Sequence, residues 1–576
     1  MLRLKAVVLA GLLLLVVAAL SLRLIEPIGD PDIFWHMKTG DWIVSHRALP
    51  TTDPFTYTTP APVNADQRFV LTSYWISQLV LHALCSVAGL QGIIILRFVM
   101  AGLIAAIMIW RREGEVLVYA GLLATLAGVI DIYALERPQT WSFVFFAVLL
   151  GLLGIVRKGG AGRVPAWGAA AVPVLMLLWA NTHAGALPGQ CVILFVLALE
   201  AARRLASGAG AADGGRFRLL FLSGSAGLAV SFVNPNGWHA VAFTRMLFET
   251  GNGNQEMWSS LEAFRVFTTP AAPALWFLVL FAAVALAVDR RRVDPVDVAL
   301  LVAIGYFSLA HVRYMAYFPL AVLPAAARHA SRSRFATVFT VAALLAGTAV
   351  GGGLLREGLA NRAFLSPAGQ VNSYAFPEAA ADFIEREGPA GNLYNNMNWG
   401  GYLIWRLAPK RRIFVDCRIS GPEIFAEAKA VDSAASEDDN GRPRWKSIFA
   451  RRGVGCVLTP IYSSLGVVYP LVSALLSDNN WVPVHLGFNE AVFVLKTEEN
   501  MKIIGRWALP QRMFVTRLLD SMAAIAAARP GDPAPRIATG DILAGLSRHE
   551  EARREYEAAA RLAPLHPVVR QRLHAL

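Results

Sequence analysis

The sequence predicts a multi-span α-helical membrane protein that carries a soluble α/β domain and a short helical-repeat tail at its C-terminus. Three observations predict it. Of 576 residues, 55% are hydrophobic and only 16% charged, where an ordinary soluble protein has about 25% charged. The deficit is confined to residues 1–355, in which long apolar runs follow one another, while 356–576 has a soluble composition. The net charge of +12 lies largely in arginine clusters between apolar runs, the pattern that orients membrane helices. No basic stretch interleaved with aromatic residues points to nucleic acid.

A spanning helix needs about 20 mostly apolar residues. The runs 5–25, 91–110, 116–135, 139–156, 166–183, 186–202, 218–233, 272–288, 296–310, 314–327 and 335–355 are expected to span. The N-terminal run is long and lacks a good cleavage site, so it reads as an uncleaved first membrane helix. Segment 73–90 carries Tyr74, Trp75, Gln78 and His82, which suit a helix lying along the interface. The clusters Arg3/Lys5, Arg111/Arg112, Arg157/Lys158/Arg163, Arg203/Arg204 with Arg216/Arg218, Arg290–Arg292 and Arg328–Arg334 all fall on the cytoplasmic side if 73–90 does not cross. That gives about 11 spans by this length rule. The first long loop 26–90, the turns at 136–138, 181–185 and 311–313, the loop 234–271 and the whole C-terminal region then share the outer face.

The unusual polar residues collect in those same outer segments. The first loop opens with Gly29-Asp30-Pro31-Asp32-Ile33-Phe34-Trp35-His36. A carboxylate at the membrane surface can act as general base toward a hydroxyl or bind a cation; the alternative is that Asp32 caps a helix over 33–46. Arg137, in Glu136-Arg137-Pro138, goes against the positive-inside pattern, and an anionic partner such as phosphate would explain it. The alternative is an ion pair with Glu136 or Asp131. Arg313, in His311-Val312-Arg313-Tyr314, is a second outer cation, and the two arginines together could clamp a phosphate. Asn181 and His183, ending an apolar run, either line a cavity or hydrogen-bond a neighbouring helix.

Residues 371–500 alternate helical and strand patterns. Strands are expected at 392–396, 413–416, 455–459, 482–485 and 491–495, and helices at 377–387, 400–407, 422–430, 444–451 and 468–477, a small α/β domain. Its densest motifs are Asn395-Asn396-Met397-Asn398-Trp399-Gly400-Gly401-Tyr402 and Phe414-Val415-Asp416-Cys417-Arg418. Asp416 is expected at a strand end, a favoured place for ligand contacts; the alternative is a helix cap with an Asp416–Arg418 ion pair. In the tail, Gly540, Leu543, Ala552, Tyr556, Ala559 and Pro564 fit the small and aromatic positions of a 34-residue helical hairpin. So few repeats should dock on the α/β domain or on a partner. The implied domains are 1–355 in the membrane, 356–500 extracytoplasmic and 501–576 helical repeats. Of four cysteines, Cys417 and Cys456 are the pair that could join in an oxidising compartment.

Asp-Pro-Asp-x-x-Trp-His followed by Pro50-Thr51-Thr52-Asp53-Pro54-Phe55-Thr56-Tyr57, Arg137-Pro138-Gln139, Asn181-x-His183, Trp399-Gly400-Gly401-Tyr402 and Asp416-x-Arg418 together resemble bacterial polytopic glycosyltransferases of the GT-C superfamily. The resemblance covers most of the chain; Cys417 departs from it, standing where glycine is expected. It implies a bacterial inner-membrane enzyme that moves a sugar from a polyprenyl-phosphate-linked donor to an outer-face glycan, protein or lipid acceptor. By that resemblance Asp32, then Asp30, is the base. Arg137 and Arg313 would take the donor phosphate, and Trp35, His36, Asn181, His183, Asp416 and Arg418 would border the substrates. No cofactor is required on this scheme, although Asp30, Asp32, His36 and His183 offer ligands for a divalent metal. The rival class is a non-enzyme: a transporter of lipid-linked glycans, or a scaffold that recruits a protein partner through its repeats. A transporter should show broken midplane helices and internal repeats, and neither is clear in the sequence.

Overall fold

A computed structural model describes residues 2–133, 135–158, 166–207, 214–242, 267, 269–310, 312–361, 371–372, 374–418, 421–438 and 441–575. Arg163, His311 and most of the 234–271 loop, named above, lie outside the described residues. The chain divides into two compact units: Met1–Ile28, Thr39–Leu49 and Arg68–Gln370 form the first, and Gly29–Lys38, Pro50–Gln67 and Val371–Leu576 the second.

The first unit is helical. Its elements are α1 (Leu2–Leu24), the later parts of α2 (Asp32–His46) and α3 (Ala65–Thr72), α4 (Trp75–Ala88), α5 (Gln91–Trp110), α6 (Val116–Ile130), α7 (Gln139–Lys158), α8 (Ala166–Thr182), α9 (Leu187–Ser207) and α10 (Gly214–Val230). After these come α11 (Ala272–Val288), α12 (Pro295–Ala310), α13 (Tyr317–Arg332) and α14 (Ala336–Asn361). Among the described residues, five runs are long and apolar enough to cross a membrane: Arg3–Leu24, Ala65–Ala88, Gln91–Trp110, Gln139–Arg157 and Ala336–Ala360; the helices at 116–130, 167–182, 272–288 and 295–309 are apolar but shorter. The protein is therefore a multi-pass membrane protein. The doubtful segment 73–90 forms the second part of Ala65–Ala88, a run that by length and composition qualifies to cross, although the charge alternation disfavours it.

Ion pairs sort the loops into two ends of this bundle. At one end Lys5 meets Glu115 at 2.9 Å, Arg328 meets Glu113 at 2.5 Å and Asp297 at 2.6 Å, and Arg157 joins Glu200 at 2.5 Å and Asp294. These are the segments whose arginine clusters the charge rule groups on one side. At the other end Arg23 meets Asp131, and the 133 and 139 side chains bond the 312–313 backbone. Within the bundle α6 and α14 cross closely at Gly121 and Gly347, where a Cβ on Gly121 would run into the Ala343 carbonyl. Small residues that let backbones approach are a principal source of helix association in lipid.

The second unit is built on a four-stranded sheet, β1 (Asn392–Asn395), β2 (Val454–Pro460), β3 (Trp481–Leu486) and β4 (Glu490–Leu495), in the order β1-β2-β4-β3. β1 and β2 are parallel, with Leu393 opposite Cys456; β4 is antiparallel to both neighbours, with Val457 opposite Phe493 and Trp481 opposite Leu495. Every residue of β2 is buried, as a central strand covered on both faces requires. The helices are α15 (Glu378–Glu387), α16 (Gly400–Leu407), α17 (Pro422–Ser433), α18 (Arg444–Arg452), α19 (Pro470–Leu476), α20 (Met501–Trp507), α21 (Gln511–Ala528), α22 (Ala534–Gly545), α23 (His549–Leu562) and α24 (Pro567–Ala575).

One strand expectation fails. Residues 413–416 do not form a strand; Ile413 makes an isolated parallel bridge with Thr56. The Asn395 amide stands in for a ladder, accepting from the Phe414 N–H at 2.9 Å and donating to the Val415 carbonyl at 2.7 Å. A side chain thus satisfies backbone groups that strand pairing otherwise would. The tail docks on the sheet: Phe514, Leu518, Met522 and Ile525 of α21 and Ala534 and Ala538 of α22 share one core with Val457, Phe493, Trp445 and Phe449. α22 and α23 form a hairpin in which Tyr556 lies over Gly540 and its hydroxyl donates to Asp541 at 2.8 Å.

Candidate active site

In the second unit, the two first-loop carboxylates take different structural positions. Asp30 Oδ1 accepts the Asp32 backbone N–H at 2.9 Å, so Asp30 braces the turn that leads into α2. Asp32 is the first residue of α2, where the helix dipole favours a negative charge. One turn on, the Trp35 indole N–H donates to Asp32 Oδ1 at 3.3 Å; residues three apart share a helix face. Trp35 and His36 are both buried, with ring centroids 3.5 Å apart. Phe34 points elsewhere, into a cluster with Phe376, Tyr402 and Trp405 at 5.0, 5.2 and 5.3 Å.

The same unit holds a buried ionic group. The Arg418 guanidinium grips Asp416 with two bonds, Nε at 2.9 Å and Nη2 at 2.6 Å, and reaches Asp53 at 3.2–3.3 Å. The side chains of Arg418, Asp416 and Asp53 are 4%, 0% and 8% exposed, so none stands open to solvent. Burial pushes the Asp416 carboxyl above its usual range, and the Asp53 charge adds to this against the pull of Arg418. For Arg418, burial works against the charge, but the two carboxylates outweigh it and raise its pKa. The guanidinium lies over the rings of Trp35 at 5.8 Å and Phe55 at 5.3 Å. The ion-pair alternative for Asp416 and Arg418 is the one the geometry fills, and Asp416 sits beyond a single bridge rather than at a strand end.

Asp53 was legible in the sequence only as part of a motif. It also organises its own turn, accepting from the Phe55 N–H at 3.0 Å and from the Thr56 hydroxyl at 2.7 Å. The available signal was an acid followed by hydroxyls three and six residues on, together with an arginine in an apolar stretch needing carboxylates. The Gly400-Gly401 pair is explained by close approach: a Cβ on Gly400 would strike Asp416 and the Val415 carbonyl, and one on Gly401 the Pro31 carbonyl.

In the first unit, Arg137 immediately precedes α7, and the Gln139 amide donates to the Arg313 carbonyl at 3.1 Å. Ser142 on α7 bonds His183 Nδ1 at 2.7 Å and accepts from the Trp179 indole at 2.7 Å. Arg137, Arg313 and His183 therefore belong to segments gathered around the start of α7. The two carboxylates that the sequence offered to Arg137 are engaged elsewhere: Glu136 by Arg97 at 2.6 and 2.9 Å, and Asp131 by Arg23 at 2.9 and 3.0 Å. Arg97, an arginine inside an apolar run, was missed; it also donates to the carbonyls of Leu24 and Glu26. Asn181 donates to Leu177 and Val233 carbonyls and accepts from the Trp75 indole, the helix-to-helix role. A small cleft nearby is lined by Phe69, Ser73, Ala184, Gln190, Ser231 and Asn234.

Among the described residues, no three His, Cys, Asp or Glu side chains gather to hold a metal; Asp30, Asp32, His36 and His183 do not form such a group. Cys417 and Cys456 are free thiols, Cys456 buried in β2 and Cys417 directed to the Met397 carbonyl at 3.6 Å.

These features define a multi-span helical membrane fold with a small mixed sheet in its C-terminal region. No protein-family model matches the chain, and no curated protein matches it. Among solved structures it is similar to ArnT from Cupriavidus metallidurans bound to undecaprenyl phosphate, with a TM-score of 0.52 at 12% identity over 88% of this chain and 99% of that one. The Archaeoglobus fulgidus oligosaccharyltransferase, in complex with zinc and sulfate, gives a TM-score of 0.47 at 13% identity over 96% of this chain and 86% of that one. At such identities the likeness to ArnT speaks to the fold alone.

Proposed function

We propose that the protein is a membrane glycosyltransferase that moves a sugar from a polyprenyl-phosphate-linked donor to an extracytoplasmic hydroxyl acceptor by inverting displacement. The observation that carries this reading is the Asp30-Pro31-Asp32 turn: it follows the first membrane helix, it sets one carboxylate in the first turn of α2, and it does so in a fold shared with a protein that binds undecaprenyl phosphate. Asp32 takes the acceptor proton as the acceptor oxygen attacks the anomeric carbon. The bond from that carbon to the phosphate oxygen breaks, and the polyprenyl phosphate leaves with the electron pair. Arg137 and Arg313 stabilise its charge, as fixed cations do for a departing phosphate. Asp30 holds the turn. The α22–α23 hairpin, with Leu565 80% exposed beyond it, is a tetratricopeptide-like site that recruits the acceptor or a partner.

The test uses purified full-length protein in lipid nanodiscs and a panel of polyprenyl-phosphate-linked sugars. Asp32→Asn is isosteric and should lower transfer by about 10²–10⁴-fold, the usual cost of a lost general base, while undecaprenyl phosphate still binds. Arg137→Gln and Arg313→Gln should weaken that binding. Transfer by Asp32→Asn at the parental rate would refute the assignment. A cysteine placed at Leu565 should react with an impermeant reagent in intact cells, since an extracytoplasmic C-terminus is part of the reading; labelling only after lysis would contradict it.

A further inference from the structure

We propose that Arg418, clamped between Asp53 and Asp416, is a positioning residue that fixes the orientation of Asp32 through the ring of Trp35. The inference deepens the reading of Asp32 as base and rests on it. The contacts form one chain within the second unit. Asp53 and Asp416 hold the guanidinium from two sides, its Cζ lies over the Trp35 ring 5.8 Å from the centroid, and the Trp35 N–H donates to Asp32 at 3.3 Å.

Three physical points favour this role over direct substrate binding. First, the group is one cation between two carboxylates, so it offers no net positive charge to an anionic donor. Second, the indole bond to Asp32 is long, and a reacting carboxylate must be held within about 0.5 Å of its productive place, so the ring itself needs a support. Arginine suits this because its flat fork takes carboxylates edge-on while its face stacks on an aromatic ring. Third, the backbone closes the arrangement: a Cβ on Gly401 would strike the Pro31 carbonyl and come within 3.2 Å of Trp35 Cδ1. On its own segment Asp32 is thus bonded to Asp30 and Trp35, and the Trp35 ring in turn neighbours His36 and Arg418.

The experiment compares Trp35→Phe, Arg418→Lys and the double variant in full-length protein in nanodiscs. The first readout needs no donor. Carbodiimide with glycine ethyl ester labels carboxyls at a fixed pH, and peptide mass spectrometry gives the ratio of Asp32 to Asp30 modification. Trp35→Phe keeps the ring but removes the N–H, and should raise that ratio roughly three- to tenfold, the scale of one ordinary hydrogen bond. Arg418→Lys should shift it in the same direction by less, and should add nothing when Trp35 is already Phe. The second readout is transfer: kcat should fall in each variant with the donor KM unchanged. If Arg418→Lys does not fold, Asp53→Asn loosens the same clamp and takes its place in the cycle. An unchanged ratio in Trp35→Phe, or a full Arg418→Lys effect in the Trp35→Phe background, would overturn the proposal. If the labelling behaves as expected while Asp32→Asn still transfers sugar at the parental rate, the clamp stands and the base assignment falls.

Discussion

Replacing Arg418 by Met should leave two carboxylates facing each other in the interior of the second unit. Asp416 has no exposed surface and Asp53 little, so neither can recover hydration in place. Removing one partner of a buried pair costs about 3–5 kcal/mol, and at about 4 kcal/mol local opening rises roughly a thousandfold. Asp53→Asn is the control. It keeps an oxygen acceptor for the turn, leaves the short Arg418–Asp416 fork at 2.6 and 2.9 Å and weakens the longer contacts at 3.2–3.3 Å, so it should cost about 1–2 kcal/mol. The pH dependence has a definite sign. Burial already holds the Asp416 carboxyl above its usual range, and losing the cation raises it further. The Arg418→Met defect is therefore largest at neutral and alkaline pH and shrinks as pH falls through that raised value. Hydrogen exchange in the full-length protein reports it through the amides of Tyr57, Phe414 and Arg418, which are bonded to Ile413, Asn395 and Asp416. A defect equal at pH 5 and pH 8, or an Asp53→Asn defect as large as that of Arg418→Met, would refute the argument.

Three further predictions follow from the packing. Arg97→Ala strands Glu136, 3% exposed, and frees the Leu24 and Glu26 carbonyls; it should destabilise the membrane unit by about 3–5 kcal/mol, seen as a lower detergent-unfolding temperature that Glu136→Gln in the same chain partly restores. Gly121→Leu should separate α6 from α14, because backbone at Ala343 leaves no room; overpacking of this kind costs about 1–3 kcal/mol or more, and unchanged thermal stability would show that the crossing is looser than described. Glu490 is buried, and burial pushes its carboxyl up to about 7. It is protonated more readily folded than unfolded, so stability of the β3–β4 hairpin should decline as pH rises from about 4 to 7, by about 3 kcal/mol in all. Exchange rates corrected for intrinsic chemistry should lose this slope in Glu490→Gln, and a slope of parental size there would assign it to another group.

Composition and period alone determined the membrane class, the soluble C-terminal composition and most elements. Apolar length marks a span whatever its neighbours do, and a strand such as β2 or a helix such as α15 carries its own pattern. The arginine clusters likewise announced which loops share an end of the bundle, because each cluster is local in sequence. What the sequence did not decide is which distant groups meet. It offered Glu136 and Asp131 to Arg137 by proximity along the chain, whereas Arg97 and Arg23, on other helices, engage them. It read 413–416 as a strand from its apolar run, and only the fold supplied Asn395 and the Thr56 bridge in place of a ladder. It left Asp53 inside a motif with no stated role, and placed the whole first loop in the membrane region, although Gly29–Lys38 and Pro50–Gln67 belong with the second unit. The reason is common to all four. A buried charge or an unladdered backbone must find partners somewhere, and the sequence states the need but not the address. Tertiary packing fixes the address through contacts hundreds of residues apart, as between Asp53 and Arg418.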